Sequence, residues 1–216
     1  MSVPHSGLTE LLSSGLSALG LETPSARESR LLAYVELLQR WNRVYNLTAI
    51  RSPAAMIGRH LIDSLAAAPF LRGTRFLDVG SGAGLPGIPL AIWFPERSFA
   101  LLDSNGRKTR FLTQVKIELG LTNVEVIHAR VQDLRAMSRY DGVLSRAFSS
   151  LAELATAAGH LLAPDGTLYA FKGIRPDAEL CVLPEPYRVR AVWPLSLPGT
   201  DADRHLVELI ACTDTR

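Results

Sequence analysis

At 216 residues the chain is long enough to bury a substantial core as one compact unit. Hydrophobic residues make up 47% and charged residues 20%, which excludes a disordered or fibrous chain. A net charge of +2 does not by itself mark a nucleic-acid binder, so what matters is where the cations fall. No apolar run approaches the roughly eighteen residues of a membrane span, and Met1 to Gly20 lacks the basic start and apolar stretch of a secretory leader. A cytoplasmic protein without a membrane partner is expected. Cys181 and Cys212 are the only cysteines, so neither a disulfide scaffold nor a zinc cluster is expected, and no metal site is assigned.

In chain order, Leu8 to Leu19 reads as a short helix. Pro24 starts a longer amphipathic one, with Leu31, Tyr34, Val35, Leu38, Trp41 and Tyr45 at helical spacing. A third helix runs from Pro53 through Ile57, Leu61, Leu65 and Phe70, and Gly73 ends it. These helices read as a cap over residues 1–74. Its aromatic stripe is core rather than a base-stacking platform, and Arg51, Arg59 and His60 are placed where they could face a cleft.

From Arg75 the pattern alternates. Strands are expected at Arg75 to Val79, Ser98 to Asp103, Val124 to Ala129, Gly142 to Arg146 and Thr167 to Lys172. Helices are expected between them at Leu85 to Phe94, Gly106 to Leu119, around Val131 to Met137, and Leu151 to Leu162. Alternation of this kind implies right-handed crossovers and a doubly wound parallel sheet over residues 75–216. After Pro184, Arg188 to Leu195 and His205 to Cys212 read as strands joined by Pro198-Gly199-Thr200-Asp201, with no room for a helix between them. They should therefore pair antiparallel at the sheet edge. The fold class is thus α/β, a Rossmann-like and mostly parallel sheet with an antiparallel C-terminal hairpin and an N-terminal helical cap.

The most specific stretch is Phe76-Leu77-Asp78-Val79-Gly80-Ser81-Gly82-Ala83-Gly84-Leu85-Pro86-Gly87. A buried strand ends, glycines allow a sharp turn with positive φ, and a helix starts with exposed N–H groups. Asp103 closes the next apolar run about 20 residues on, where a carboxylate can accept from both hydroxyls of a ribose. Gly82, Gly84 and Gly87 also satisfy the dinucleotide pattern, whose helix N-terminus binds pyrophosphate. Asp78 argues against that reading, because a carboxylate before the first glycine repels phosphate and suits an ammonium group. A purely structural glycine turn is the remaining alternative. The form Asp78-x-Gly80-x-Gly82-x-Gly84 resembles the first motif of class I S-adenosylmethionine-dependent methyltransferases.

Arg107, Lys108 and Arg110 follow Asp103, Arg130, Arg135 and Arg139 flank the third strand, and Lys172 and Arg175 follow the fifth. Several lie after strand C-termini, the edge where open α/β sheets bind ligands. Together they favour an anionic substrate. The acceptor is constrained by what is missing. Leu144-Ser145-Arg146-Ala147-Phe148 stands where exocyclic-amine methylases carry an Asn/Asp-Pro-Pro-aromatic tetrad. Neither cysteine lies beside the site, as a cytosine-C5 enzyme requires, and Lys172 alone does not make a ribose 2′-hydroxyl tetrad. A ring nitrogen such as guanine N7 carries its own lone pair and needs no base. Arg146, at the end of a buried strand, requires a partner or a ligand: Asp141, or a substrate guanine O6 or phosphate.

Combined, Trp41-Asn42-Arg43-Val44-Tyr45-Asn46-Leu47-Thr48, Arg59-His60-Leu61-Ile62-Asp63-Ser64, the glycine segment, Leu102-Asp103-Ser104, Ser145-Arg146-Ala147-Phe148 and Phe171-Lys172-Gly173 carry a closer resemblance. From about residue 30 to residue 210 the chain is similar to the bacterial small-subunit ribosomal RNA guanine-N7 methyltransferases, the glucose-inhibited division protein B family. The resemblance implies a cytoplasmic enzyme that methylates N7 of one guanine in 16S ribosomal RNA, on free RNA or a small-subunit assembly particle. It implies S-adenosyl-L-methionine as cofactor, met by Gly80 and Leu85 in the first loop, by Val131 and Gln132 at the adenine, and by Arg146. Gly82 and Asp103 join that set on the physical grounds given above. Arg146 and Lys172 are the candidates for the reaction itself, and Arg107, Lys108, Arg130 and Lys172 for RNA contact. A monomer is the expected state. A small-molecule methyltransferase and a non-catalytic RNA-binding assembly factor are the rival classes.

Overall fold

The computed structural model describes residues 5–22, 24–135, 139–200 and 202–212. In Phe76-Leu77 and in Phe99-Ala100-Leu101-Leu102 every residue is buried, because successive strand side chains point to opposite faces and both faces are covered. These runs form β1 (Arg75–Val79) and β2 (Ser98–Asp103), followed by β3 (Val124–His128), β4 (Tyr140–Ser145) and β5 (Leu162–Lys172). The C-terminal segment supplies β6 (Tyr187–Pro194) and β7 (His205–Ala211). The order across the sheet is β3-β2-β1-β4-β5-β7-β6. The first five pair parallel, and β7 pairs antiparallel with both β5 and β6. The expected hairpin therefore closes the sheet edge with β7 inserted between β5 and β6.

One face of the sheet presents Phe76, Phe99, Leu101, Leu144, Tyr169 and Leu206. Against it pack α1 (His5–Ala18), α2 (Ser25–Tyr45), the segment 53–70, α5 (Gly87–Trp93) and α6 (Gly106–Glu118). The other face presents Leu77, Val79, Ala100, Leu102, Val143 and Leu168 to α7 (Leu151–Ala158). The core of the first face is continuous from Leu12 to Leu206, so the N-terminal helices share it with the sheet. Trp41 packs on Phe111 at 5.6 Å, as a core aromatic does, while Tyr45 stacks on Trp41 and stays exposed. No helix among the described residues is long and apolar enough to cross a membrane.

Several elements depart from the expected bounds. The helix expected from Leu85 starts at Gly87, because residues 80–86 are spent on the turn in which Gly80, Gly82 and Gly84 have φ of 71°, 59° and 93°. The continuous helix expected from Pro53 to Phe70 is broken into α3 (Pro53–Met56), a π-helical turn (Ile57–Ile62), α4 (Asp63–Leu65) and a 3-10 turn (Ala68–Phe70). Every residue from 60 to 68 is buried, since this segment is enclosed on all sides. Strand β5 begins at Leu162 rather than Thr167: Tyr140 pairs with Leu162 and Gly142 with Thr167, so residues 163–166 bulge out instead of ending the element. The turn expected around Val131 to Met137 is a 3-10 turn over Val131–Asp133, and residues 136–138 lie outside the described residues. A four-residue helix, α8 (Asp177–Leu180), follows β5 and was not expected.

Tyr34 ties the helical segment to the glycine turn: its buried hydroxyl donates to the Ala83 carbonyl at 2.7 Å. Tyr34→Phe keeps the ring but leaves that carbonyl without its donor, and should lower stability by about 1–2 kcal/mol. A lower urea midpoint with an unchanged slope is the expected result.

Candidate functional site

The glycine turn is held on the end of β2. The N–H groups of Gly80 and Ser81 both donate to the Leu102 carbonyl, at 2.8 and 3.0 Å. Gly80 has room for nothing larger, since a Cβ there would sit 2.6 Å from the Ala147 Cβ. Asp103, the last residue of β2, is buried. Its Oδ2 accepts from the Gly82 N–H at 2.9 Å, its Oδ1 accepts from the Asn105 N–H at 2.8 Å, and Lys108 Nζ stands 3.6 Å away.

Below this turn lies a cavity of about 310 Å³ at the C-terminal ends of β1, β2, β3 and β4. Gly80, Asp103, Arg130, Val131 and Gln132 line it together, with Ala147 and Phe148 on the far side. Five of the sequence-predicted residues thus meet in one place. Gly82 stands behind Asp103 as its hydrogen-bond donor, and Leu85 is half-buried against the core of the first sheet face. Arg107 is exposed on α6 outside this cavity. A larger cavity of about 630 Å³ adjoins it along α7 and shares Gln132 and Glu153, but no strand-end carboxylate lines it.

Arg146 and Lys172 line a second cavity, of about 260 Å³, with Asp63, Phe171, Gly173, Leu195, Arg204 and His205. The pairing of Arg146 with Asp141, one of the alternatives the sequence left open, is not formed. Asp141 sits at the opposite end of β4, some 15 Å of strand away, where its Oδ2 accepts from the N–H groups of Thr74 and Arg75 at 2.8 and 3.0 Å. Arg146 pairs instead with Asp63 of α4, Nη2 to Oδ2 at 2.8 Å. The other oxygen of Asp63 accepts from Arg204 Nε at 3.1 Å. Lys172 Nζ donates to Glu179 at 2.9 and 3.0 Å and to the Ser149 carbonyl at 3.1 Å. Asp63, Glu179 and Arg204 had been given no role. Asp63 carried a readable signal, because an acid inside the apolar run Leu61-Ile62-Asp63-Ser64-Leu65 of a buried helix demands a cation.

Three buried side-chain atoms have no hydrogen-bond partner among the described residues: Ser64 Oγ, Asp78 Oδ1 and Arg146 Nη1. The second oxygen of Asp78 accepts from the Gly87 N–H at 2.9 Å. Burial pushes the Asp78 carboxyl up to about 7, against the opposing pull of that N–H, of Ser81 and of the Arg146 charge. His60 moves the other way. Burial, reinforced by Arg146, holds it down to about 4, and its nitrogens face Thr48 Oγ1 at 2.9 Å and the Arg59 carbonyl at 3.1 Å. Thr48 is itself positioned by Asn42, whose Oδ1 accepts from the Thr48 N–H at 2.9 Å. The Trp41–Thr48 segment therefore acts by holding His60 in place.

The Asp78 carboxyl titrates near 3.8 when unfolded and near 7 when folded, so the folded chain holds more protons between those values. Stability should fall as pH rises from about 4 to 7, and Asp78→Asn should flatten that fall. Urea midpoints measured across this range check it.

Residues 27–207 match the family model described as rRNA small subunit methyltransferase G. The chain is 51% identical over 211 residues to the ribosomal RNA small subunit methyltransferase G of Stutzerimonas stutzeri, covering 97% of this chain and 98% of that protein. It is 52% identical over 199 residues to the protein of the same name from Yersinia enterocolitica, covering 92% and 97%. Among solved structures, the glycopeptide N-methyltransferase MtfA complexed with S-adenosyl-L-methionine superposes with a TM-score of 0.58 at 12% identity, over 71% of this chain and 88% of that one. That likeness is one of fold.

Proposed function

We propose that this chain, which belongs to the rRNA small subunit methyltransferase G family, transfers a methyl group from S-adenosyl-L-methionine to N7 of a guanine in 16S ribosomal RNA. The observation that carries this reading is the strand-end cavity in which Asp103 lies beneath a glycine turn whose Gly80 has no room for a side chain. A cation-lined cavity stands beside it at the end of β4. Free 16S RNA or a small-subunit assembly particle is the partner, and the cytoplasm of the cell is the compartment where both occur. The unit is a monomer in which the helical cap, residues 1–74, packs on the methyltransferase domain, residues 75–216.

The residues present fit the cofactor. Asp103 would take the ribose hydroxyls, Val131 and Gln132 the adenine, and Gly80 would let the ligand touch the main chain. The two lone buried atoms of opposite charge, Asp78 Oδ1 and Arg146 Nη1, suit an ammonium and a carboxylate, the two ends of an amino acid. When bound, the cofactor supplies an electrophilic methyl group on a sulfonium. The chain's own work is to orient the partners and exclude water. No base is required, because the guanine N7 lone pair is free, and neither His60 nor Lys172 is disposed to act as one. His60 is neutral at pH 7 and occupied, and the three donors of Lys172 are committed to Glu179 and Ser149. Arg107, Lys108 and Arg130 flank the mouth as contacts for RNA phosphates.

Asp103→Ala should weaken S-adenosylhomocysteine binding by roughly tenfold to a hundredfold, the worth of hydrogen bonds to a charged group, while circular dichroism stays unchanged. Titration calorimetry is the measurement, and unchanged affinity would remove Asp103 from the site. The activity itself is tested by tritium transfer from labelled cofactor into 16S RNA of cells lacking the protein, followed by mass mapping of the product. Transfer to a metabolite and none to RNA would favour a small-molecule enzyme.

A further inference from the structure

The second cavity has a charge pattern that the methyl transfer alone does not explain. Arg146, Lys172 and Arg204 line it with a single carboxylate, Asp63, and both oxygens of Asp63 are already engaged by Arg146 and Arg204. Its charged side chains therefore present donors and no free acceptor. The donors of Lys172 are used by Glu179 and Ser149, and Arg146 is tied through Nη2 to Asp63 while its Nη1 is buried without a partner. Arg204 is different. Of the five N–H donors of a guanidinium, two have partners among the described residues: Nε on Asp63, and Nη1 on the Asp203 carbonyl at 2.7 Å. The remainder belong to a side chain that is partly exposed at the cavity wall, which the half-buried ring of Phe171 also lines. A volume of about 260 Å³ is below the roughly 300–1,000 Å³ of a site for a drug-sized ligand and suits one flat base.

Purines differ at this edge. Guanine presents O6, an acceptor, beside N7, whereas adenine presents an amino donor in the same place. We infer that this cavity receives the acceptor base, that Arg204 selects guanine by donating to O6, and that Asp63 positions Arg204 for it. Since N7 must stay free to attack, O6 is the neighbouring atom left for recognition. The inference rests on the guanine-N7 reading and adds the residue that chooses the base.

The test uses the full-length protein and 16S RNA ligated to carry guanosine, inosine or 2-aminopurine riboside at the guanine found by mass mapping. Inosine retains O6 and N7, and 2-aminopurine lacks O6. Wild-type protein should methylate inosine within a few-fold of guanosine and 2-aminopurine about tenfold to a hundredfold more slowly in kcat/KM. Arg204→Gln should lose the same factor on guanosine and inosine while leaving 2-aminopurine unchanged, which cancels intrinsic differences in N7 nucleophilicity. Asp63→Asn, which removes the charge that pairs with both arginines and one of the two acceptors, should show the same pattern plus a loss of S-adenosylhomocysteine affinity that Arg204→Gln does not share. Equal wild-type rates on guanosine and 2-aminopurine would overturn the proposal, as would an Arg204→Gln loss equal on all three bases, the result expected if Arg204 holds an RNA phosphate. Normal S-adenosylhomocysteine binding with no transfer even to guanosine RNA would instead overturn the guanine-N7 reading, and this inference with it.

Discussion

The arrangement of the cavity at the end of β4 depends on one buried carboxylate. Asp63 reaches from the N-terminal helices to Arg146 at the end of β4 and to Arg204 just before β7. These residues lie 83 and 141 positions from it, so the contact exists only when the cap, the central sheet and the C-terminal hairpin are all in place. A buried ion pair contributes little net stability over apolar packing, but removing one partner strands a charge and typically costs about 3–5 kcal/mol. Its value lies in position. It holds two guanidiniums side by side that would otherwise repel each other, and it keeps both at the wall of the cavity at the end of β4.

The sheet supplies the rest of the geometry. Parallel strands end together at one edge, so side chains distant in sequence are delivered to a common mouth. Asp103, Val131 with Gln132, and Arg146 with Ala147 come from β2, β3 and β4 in that way. Five parallel strands need two covered faces, which explains why the central runs are largely apolar, while β3 at the edge keeps Glu125 and His128 exposed. It also explains why the segment 60–68 is buried on all sides: it forms the cover of one face while carrying Asp63 into the site.

Burial tunes the charges around this mouth in opposite directions. Asp78 is drawn up toward neutrality of charge and His60 down, each by loss of water, with the Arg146 charge acting on both. The result is a site with fixed cations and an unpaired acid oxygen. Such a site is suited to holding a zwitterionic ligand and a nucleophile that needs no deprotonation.

The parallel core of the fold was legible because strand and helix periods are local properties. β1 and β2 have the expected bounds, and the antiparallel hairpin followed from the absence of a helix between its strands. The meeting of Gly80 and Asp103 was legible for a related reason: a glycine turn after one strand and an acid ending the next are close in sequence, and their spacing reflects a single βαβ unit, whereas Val131 and Gln132 carried no local signal and entered only through the family resemblance. What could not be read was the partner of Arg146. Asp141 was the near neighbour in sequence, yet five residues of extended chain put it at the wrong end of the strand. Asp63 was remote in sequence and adjacent in space. Local pattern alone determined the elements and the mouth for a nucleoside. Only the packing of three distant segments decided which carboxylate neutralises which arginine, since a buried charge takes the partner that tertiary structure brings within reach.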